Sequence, residues 1–407
     1  MNILVVSATY PEPDSYALKK DTMAVHYFAK QWVKGGNHVL VVHPFYNGLG
    51  NILDFFRIHK LGIRHCIIDG VNIVFGSSQL LLPHALKPFP FQDRILAKQM
   101  GKYIQNHFPS YSPDVISIHF PYVLGEFVNE FCKSEDIPKF AVFHGTDVRQ
   151  LLSLKEEGRK RWVAIFNNTY KLFGFRAPLL LEKCCESLLD KSKSSVILSG
   201  LDESLIADEQ SIIEKANTSL NGRPLSIIFA GKLVKQKRID FVLNALSLIK
   251  NDIPFLFYIV GDGEEKNALQ ALTMSLGLNE QVEFVGRKSR GELSDLMLRS
   301  DMFIMMSTNE TLGLVYLEAM AQGCIPIGSK GEGIDGIIKS GENGILCDPY
   351  NIQEVSNSIK MVYFLTQMKR KEYILNAFNS VKFMTENKMA ESYLRILNQI
   401  ANTKDDE

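Results

Sequence analysis

The chain has 407 residues, of which 46% are hydrophobic and 22% charged, with 45 Lys+Arg against 45 Asp+Glu. That length exceeds one ordinary core and predicts two or three domains. The zero formal net charge argues against nucleic acid as a partner, and the apolar content excludes a chain whose main state is disordered.

The N-terminal segment Ile3–Val6 reads as a buried strand, without the basic start and longer apolar region of a secretory signal. Short β-branched runs follow at Val39–Val42, Val71–Phe75, Val115–Ile118, Phe140–Phe143 and Ser195–Leu198. A second series comprises Leu225–Phe229, Phe255–Val260, Val282–Val285, Met302–Met306 and Ile325–Ile327. Continuous apolar runs suit parallel strands covered on both faces. Amphipathic stretches such as Thr22–Lys34, Phe241–Lys250, Glu264–Leu276 and Gly291–Ser300 predict helices between them. The expected class is α/β, as two doubly wound parallel-sheet domains facing across a cleft.

The polar stretch Asp202–Pro224, which contains Asn221-Gly222, marks the boundary between them. The expected division is residues 1–205, residues 206–380, and a C-terminal helix over 381–407. No apolar run approaches membrane-spanning length. The six cysteines, at 66, 132, 184, 185, 324 and 347, form no Cys-x-x-Cys pair. They predict neither a disulfide framework nor a zinc site, and they suit a reducing cytoplasm.

The chemistry concentrates in two loops. In the first, Gly231 ends a strand and Lys232, Lys235, Lys237 and Arg238 precede a helix, which together make an anion site. In the second, Met302–Met306 leads through Glu310 and Gly313 into a helix carrying Glu318. Free N–H groups at that helix start suit a phosphate, and a carboxylate one turn on suits the paired hydroxyls of a ribose.

Glu310-x7-Glu318 around Thr311-Leu312-Gly313-Leu314, preceded by Gly231–Lys237, resembles the retaining glycosyltransferases of family four, which have the GT-B fold. Val260–Glu264, Val282–Gly286, Gly341–Leu346, Pro113–Phe120 and His144–Asp147 follow in that family's order, so the resemblance spans nearly the whole chain. It implies that Gly231, Lys232 and Lys237 grip the donor diphosphate. Thr311, Leu312, Gly313 and Leu314 would offer backbone N–H groups to it, and Glu318 would hold the ribose. Gly286 and Arg287 would lie near the base. Glu310 and His144 would stand at the transferred sugar, with Glu332 and Gly333 as candidate sugar contacts. The implied catalytic set is His144, Glu310 and Lys237. The last helix is expected to cross back to the N-terminal domain. No metal and no cofactor are expected, since the nucleotide sugar is a co-substrate.

The sequence departs from the family in three places. No glycine precedes Gly35, although the family often has a glycine-rich loop after the first strand; Lys19 and Lys20 lie in that loop here. Arg238 stands where the family commonly has glycine. Ser117 replaces a frequent histidine, while His119 is kept and reads as a packed residue. Gly331–Gly336 matches the spacing of a dinucleotide fingerprint, but the few residues before Gly341 leave no room for the required helix.

The expected reaction moves a sugar from a nucleotide-diphosphate sugar, with uridine as the expected base, to a hydroxyl of a saccharide or lipid-linked acceptor. The start Ser7–Pro11 is similar to bacterial enzymes of capsule, exopolysaccharide or teichuronic acid assembly, which points to cell-surface polysaccharide. A sugar-nucleotide epimerase and a non-catalytic sugar-nucleotide-binding protein are the alternatives. Residues 57–107 hold seven Lys/Arg against two Asp, with apolar residues interleaved. That patch suggests peripheral contact with the inner face of the cell membrane.

Overall fold

The computed structural model describes residues 1–13, 23–47, 62–79, 90–133, 136–186, 188–220 and 222–402. The chain divides into two compact units. The first holds Met1–Arg176, Leu180–Leu198 and Glu386–Glu407; the second holds Ala177–Leu179 and Ser199–Thr385. Apart from the brief excursion at Ala177–Leu179, the chain changes unit at 198/199, several residues before the expected 205/206, and again at 385/386.

In the first unit the described strands are β1 (Asn2–Ser7), β2 (His38–Asn47), β3 (Gly62–Ile68), β4 (Val71–Gln79), β5 (Val115–His119), β6 (Lys139–Phe143), β7 (Leu172–Phe175) and β8 (Ser194–Val196). They form one sheet in the order β3-β4-β2-β1-β5-β6-β7-β8. Pairing is parallel except between β3 and β4. Those two join through Asp69 and Gly70, both at positive φ (48° and 80°), the signature of a primed hairpin turn. Every residue of β5 and β6 is buried, which is why these strands read as mostly apolar runs. Helix α1 (Ala24–Lys34) places Phe28 and Trp32 on this sheet. The last helix of the chain, α14 (Glu386–Asn402), packs beside α1 in the same core. There the Trp32 indole N–H donates to the Ala390 carbonyl over 2.9 Å.

In the second unit the described strands are β9 (Leu225–Ala230), β10 (Phe255–Val260), β11 (Val282–Gly286), β12 (Met302–Met305), β13 (Ile325–Ser329) and β14 (Ile345–Cys347). Their order is β11-β10-β9-β12-β13-β14, and all pairings are parallel. The chain builds outward from β9 through β10 to β11, then returns to the other side of β9 with β12. That reversal makes a switch point between β9 and β12, where loops from two carboxyl ends diverge and ligands collect. In the first unit the same reversal lies between β1 and β5.

A buried ion cluster fixes the floor of the second sheet. Asp301, 2% exposed, accepts both Arg223 guanidinium nitrogens at 2.7 Å and the Ser226 N–H at 2.9 Å, and it pairs with buried Arg370 on α13 (Gln367–Val381). Burial alone would raise the Asp301 carboxyl. Arg223, Arg370 and the Ser226 N–H outweigh it and hold the group below the ordinary aspartate value.

The dinucleotide-like glycines at 331–336 lie in a run of turns with no helix. Among the described residues no helix is long and apolar enough to cross a membrane. Lys19 and Lys20 lie outside the described residues, as do Arg57, Lys60, Leu80–Leu82, Lys87 and Phe89 of the proposed membrane patch. Three of its described cations meet partners: Arg64 pairs with Glu12 at 2.8 Å, Arg94 with Glu126 at 3.5 Å, and Lys98 approaches Glu130 at 3.9 Å.

Candidate functional site

The loops leaving β9 and β12 at the switch point are stitched together by main-chain groups. Lys235–Lys237 forms a single 3-10 turn after β9. The Gln236 carbonyl accepts the Thr308 N–H at 3.0 Å, and its side-chain amide donates to the Asn309 carbonyl at 3.1 Å. This registers Lys237 against Glu310, and the Lys237 ammonium donates to Glu310 Oε2. The side chains are only 19% and 17% exposed, so the pair sits in a partly desolvated recess. Ser307 Oγ donates to the same oxygen at 3.3 Å. An ammonium has three donors, and this pair uses one of them.

The loop after β13 closes on the same place. Glu332 Oε2 accepts the Glu310 N–H at 2.8 Å, and the Gly333 N–H donates to the Glu310 carbonyl at 3.2 Å. A Cβ on Gly333 would stand 1.9 Å from the Thr311 carbonyl oxygen, so only glycine permits this approach. Gly313 then turns the chain at φ 77° into α11 (Leu314–Ala321). No side chain caps that helix, so its first N–H groups have no side-chain acceptor.

Of the residues singled out in sequence, Lys237, Glu310, Thr311, Glu332 and Gly333 are thus brought into one cluster. Gly231 lies where the loops after β9 and β10 cross: a Cβ on Gly261 would stand 1.9 Å from the Gly231 carbonyl oxygen. Lys232 is exposed, while the Leu312 side chain is buried and leaves only its backbone to bind. Leu314 begins α11. Gly286 ends β11 at φ 76°, and the Arg287 side chain is exposed with Asp262 3.9 Å away.

Glu318, on the second turn of α11, lines a separate small pocket with Arg290, Leu293 and Met297 from α10 (Arg290–Arg299). Burial raises its carboxyl above the ordinary value, and the Arg290 guanidinium pulls it the other way. Sequence reading missed Arg290, Ser307 and Gln236. The only available signal was local: Ser289 and Glu292 form a capping box that starts α10 and places Arg290 in its first turn.

Residues 210–379 match the family described as Glycosyl transferases group 1. The chain is 25% identical over 270 residues to N-acetyl-alpha-D-glucosaminyl L-malate synthase of Bacillus anthracis, covering 64% of this chain and 67% of that protein. It is 27% identical over 136 residues to the lipopolysaccharide core biosynthesis glycosyltransferase LpsE of Rhizobium meliloti, covering 33% and 38%. In fold it matches Anabaena HepE in complex with UDP-glucose with a TM-score of 0.63, at 17% identity over 98% of this chain and 100% of that one. Residues 210–379 belong to the group 1 glycosyl transferases. The chain's two parallel-sheet units are those of the GT-B fold, and the protein is a retaining glycosyltransferase that uses a nucleotide-diphosphate sugar.

In this glycosyltransferase His144 follows β6 in the first unit and caps α4 (Gly145–Ser153). The Asp147 carboxylate accepts the His144 N–H at 3.0 Å and the Tyr122 and Val123 N–H groups at 3.1 and 3.3 Å. Burial pushes the Asp147 carboxyl up to about 7, against those three donors. The Phe120 ring stacks on the His144 imidazole at 3.7 Å, with Phe120 itself at a left-handed φ of 65°. His144 Nε2 lies 3.1 Å from His119 Nδ1. Burial, aided by the other imidazole and the Arg176 guanidinium, holds His144 well below the ordinary imidazole value; burial and Arg176 do the same for His119.

Proposed function

We propose that this glycosyltransferase moves a sugar from a UDP-sugar to a hydroxyl of a saccharide or lipid-linked acceptor, in the assembly of a cell-surface polysaccharide. The Lys237–Glu310 pair at the β9/β12 switch point, beneath the uncapped start of α11, carries the reading. HepE, of the same fold, holds UDP-glucose, and LpsE acts in lipopolysaccharide core biosynthesis. The first supports a uridine donor and the second a surface glycan.

The difficult event is departure of the nucleoside diphosphate. The sugar C1–O bond breaks and negative charge gathers on the β-phosphate. Lys237, Lys232 and the α11 N–H groups receive that charge. A cation about 4 Å from it is worth roughly 4 kcal/mol at an effective dielectric near 20. The acceptor oxygen then bonds to C1 on the face the diphosphate leaves, and its proton passes to a leaving-group phosphate oxygen. Glu318 holds the ribose, Gly286 and Arg287 lie by the base, and Glu310, Glu332, Gly333 and His144 address the transferred sugar. The catalytic groups are His144, Glu310 and Lys237. Glu310 cannot serve as a free nucleophile while it accepts from both Lys237 and Ser307. We place the enzyme in the cytoplasm, where its scattered thiols stay reduced, with peripheral membrane contact through residues 57–107.

Thermal-shift screening against UDP-, GDP- and ADP-sugars tests the donor, since ligand bound to the folded state raises its stability. The UDP-sugar is expected to give the largest shift, and UDP release is expected to need an added saccharide or lipid-linked acceptor. A larger shift with GDP- or ADP-sugars would overturn the uridine assignment. Conversion of the donor without acceptor would point to epimerisation.

A further inference from the structure

Phe120, the first residue after β5, holds a left-handed φ of 65°. A bulky side chain rarely adopts that conformation, because its Cβ crowds the following carbonyl. Main-chain hydrogen bonds keep the turn in place. The Phe120 N–H donates to the Val142 carbonyl at 3.1 Å, and the Phe120 carbonyl accepts the Leu124 N–H at 3.0 Å. The Asp147 carboxylate accepts from Tyr122, Val123 and His144 together, which ties the turn to the start of α4. Trp162, on α5 (Glu156–Thr169), packs against the far end of the turn. Its ring meets Tyr122 at 4.9 Å and fills the space over Gly125, where a Cβ would stand 2.5 Å from it. The result is that the Phe120 ring lies flat on the His144 imidazole, with centroids 3.7 Å apart and planes at 14°. His144 is a fixed backing, since its side chain accepts the Asp147 N–H and its Nε2 lies 3.1 Å from His119 Nδ1. Phe120 itself remains partly exposed.

We propose that Phe120 is an acceptor-binding residue: the face of its ring turned away from His144 stacks on a pyranose ring of a saccharide acceptor. The proposal rests on the reading of this enzyme as one that transfers to a sugar hydroxyl. A stack of two rings is worth about as much as the left-handed backbone costs, so the His144 contact alone does not explain why the strain is kept. Strained residues persist where their surroundings over-determine them, and they gather at ligand sites. The position agrees. β5 borders the reversal between β1 and β5, where loops from two carboxyl ends diverge and ligands collect. The chemistry agrees as well. A pyranose carries its hydroxyls around its edge and presents C–H groups, slightly positive, on its faces. Those faces match the negative face of an aromatic ring. Lys237, Glu310 and Glu332 in the second unit supply charge and polar atoms, which suit the diphosphate and hydroxyls of the donor. A bare aromatic face suits the other reactant.

The test uses the full chain, its preferred UDP-sugar, and the octyl pyranosides of glucose, galactose, mannose and N-acetylglucosamine as acceptor probes. Saturation-transfer NMR reads contact between aromatic protons of the protein and C–H protons of each pyranoside, and initial rates of UDP release give the KM of each substrate. Wild type is expected to pass saturation to the ring C–H protons of at least one pyranoside. Phe120→Leu keeps an apolar side chain on the same backbone but removes the ring. It is expected to lose that signal and to raise the pyranoside KM about tenfold with donor KM unchanged, while Phe120→Tyr stays within about twofold of wild type. Phe120→Gly loses ring and strain together, so it carries the test if the leucine variant folds poorly, and the same loss is expected. A merely structural role would shift both KM values and the thermal midpoint together. No pyranoside signal in wild type, an unchanged pyranoside KM in the ring-less variants, or a rise confined to donor KM would overturn the proposal. Donor conversion without any pyranoside would defeat the transfer reading instead, and the saturation spectra would still decide whether Phe120 holds a sugar ring.

Discussion

Arg238 adopts φ 51° and ψ 45°, the left-handed conformation in which a Cβ is costly and glycine is free. That is the physical reason glycine is common at this place in the family, and the arginine has to offset the strain. Its guanidinium stacks over Phe241 at 4.3 Å and Tyr350 at 4.9 Å, and it donates to the Pro349 carbonyl. Arg238→Ala loses the clamp and keeps the strain, whereas Arg238→Gly loses both. Denaturant titration is expected to find the alanine variant less stable than the glycine variant by about 1 kcal/mol. At Gly333 the opposite constraint operates, because a methyl group would meet the Thr311 carbonyl. Gly333→Ala is expected to cost about 1–3 kcal/mol and to lower activity by pushing Thr311 and Glu310 out of register, read by unfolding and initial rates. Motif order marked Glu332 and Gly333 as sugar neighbours. It did not reveal that Glu332 holds the Glu310 N–H, because order along a chain carries no information about contacts across loops.

Among the elements, the described strands were legible in the sequence except β3, β7 and β14. β7 has four residues including Gly174, where a Cβ would meet Ile197 and Phe140 at 2.8 Å, and β14 has three. Among the described residues β3 pairs with β4 alone, and its run Gly62–Ile68 mixes polar and apolar residues, so no buried period shows in the sequence. The Asp301 cluster ties the start of β12 to Arg223 before β9 and to Arg370 on α13, and none of these spacings forms a motif. Asp301→Ala would leave the Arg370 guanidinium buried without its carboxylate, and is expected to cost about 3–5 kcal/mol in urea unfolding. Because the folded carboxyl titrates below the ordinary 3.8, the cluster's contribution is present above that pH and is lost as pH falls through the lower folded value. An unfolding series from neutral to acid pH should show wild type losing this margin while Asp301→Ala changes less.

For the whole molecule, the alternation of apolar runs and amphipathic stretches was enough to give two α/β units, because parallel strands covered on both faces leave that pattern. The place of α14 in the first unit's core was expected from resemblance and has no local signal. Its anchors, Trp32 to Ala390 and Tyr393 to Ser117, join residues far apart in sequence. The identity of the sugar and acceptor was not legible either, since both depend on hydroxyl-by-hydroxyl contacts rather than on motif order. What the fold does place at one switch point is the Lys237 ammonium, and the central claim is that it stabilises the departing diphosphate. The direct test is UDP release from the preferred UDP-sugar by Lys237→Ala, with UDP affinity measured alongside. Turnover should fall roughly a hundredfold or more and UDP binding should weaken, with the thermal midpoint nearly unchanged. A folded Lys237→Ala enzyme that releases UDP at close to the wild-type rate would contradict the account.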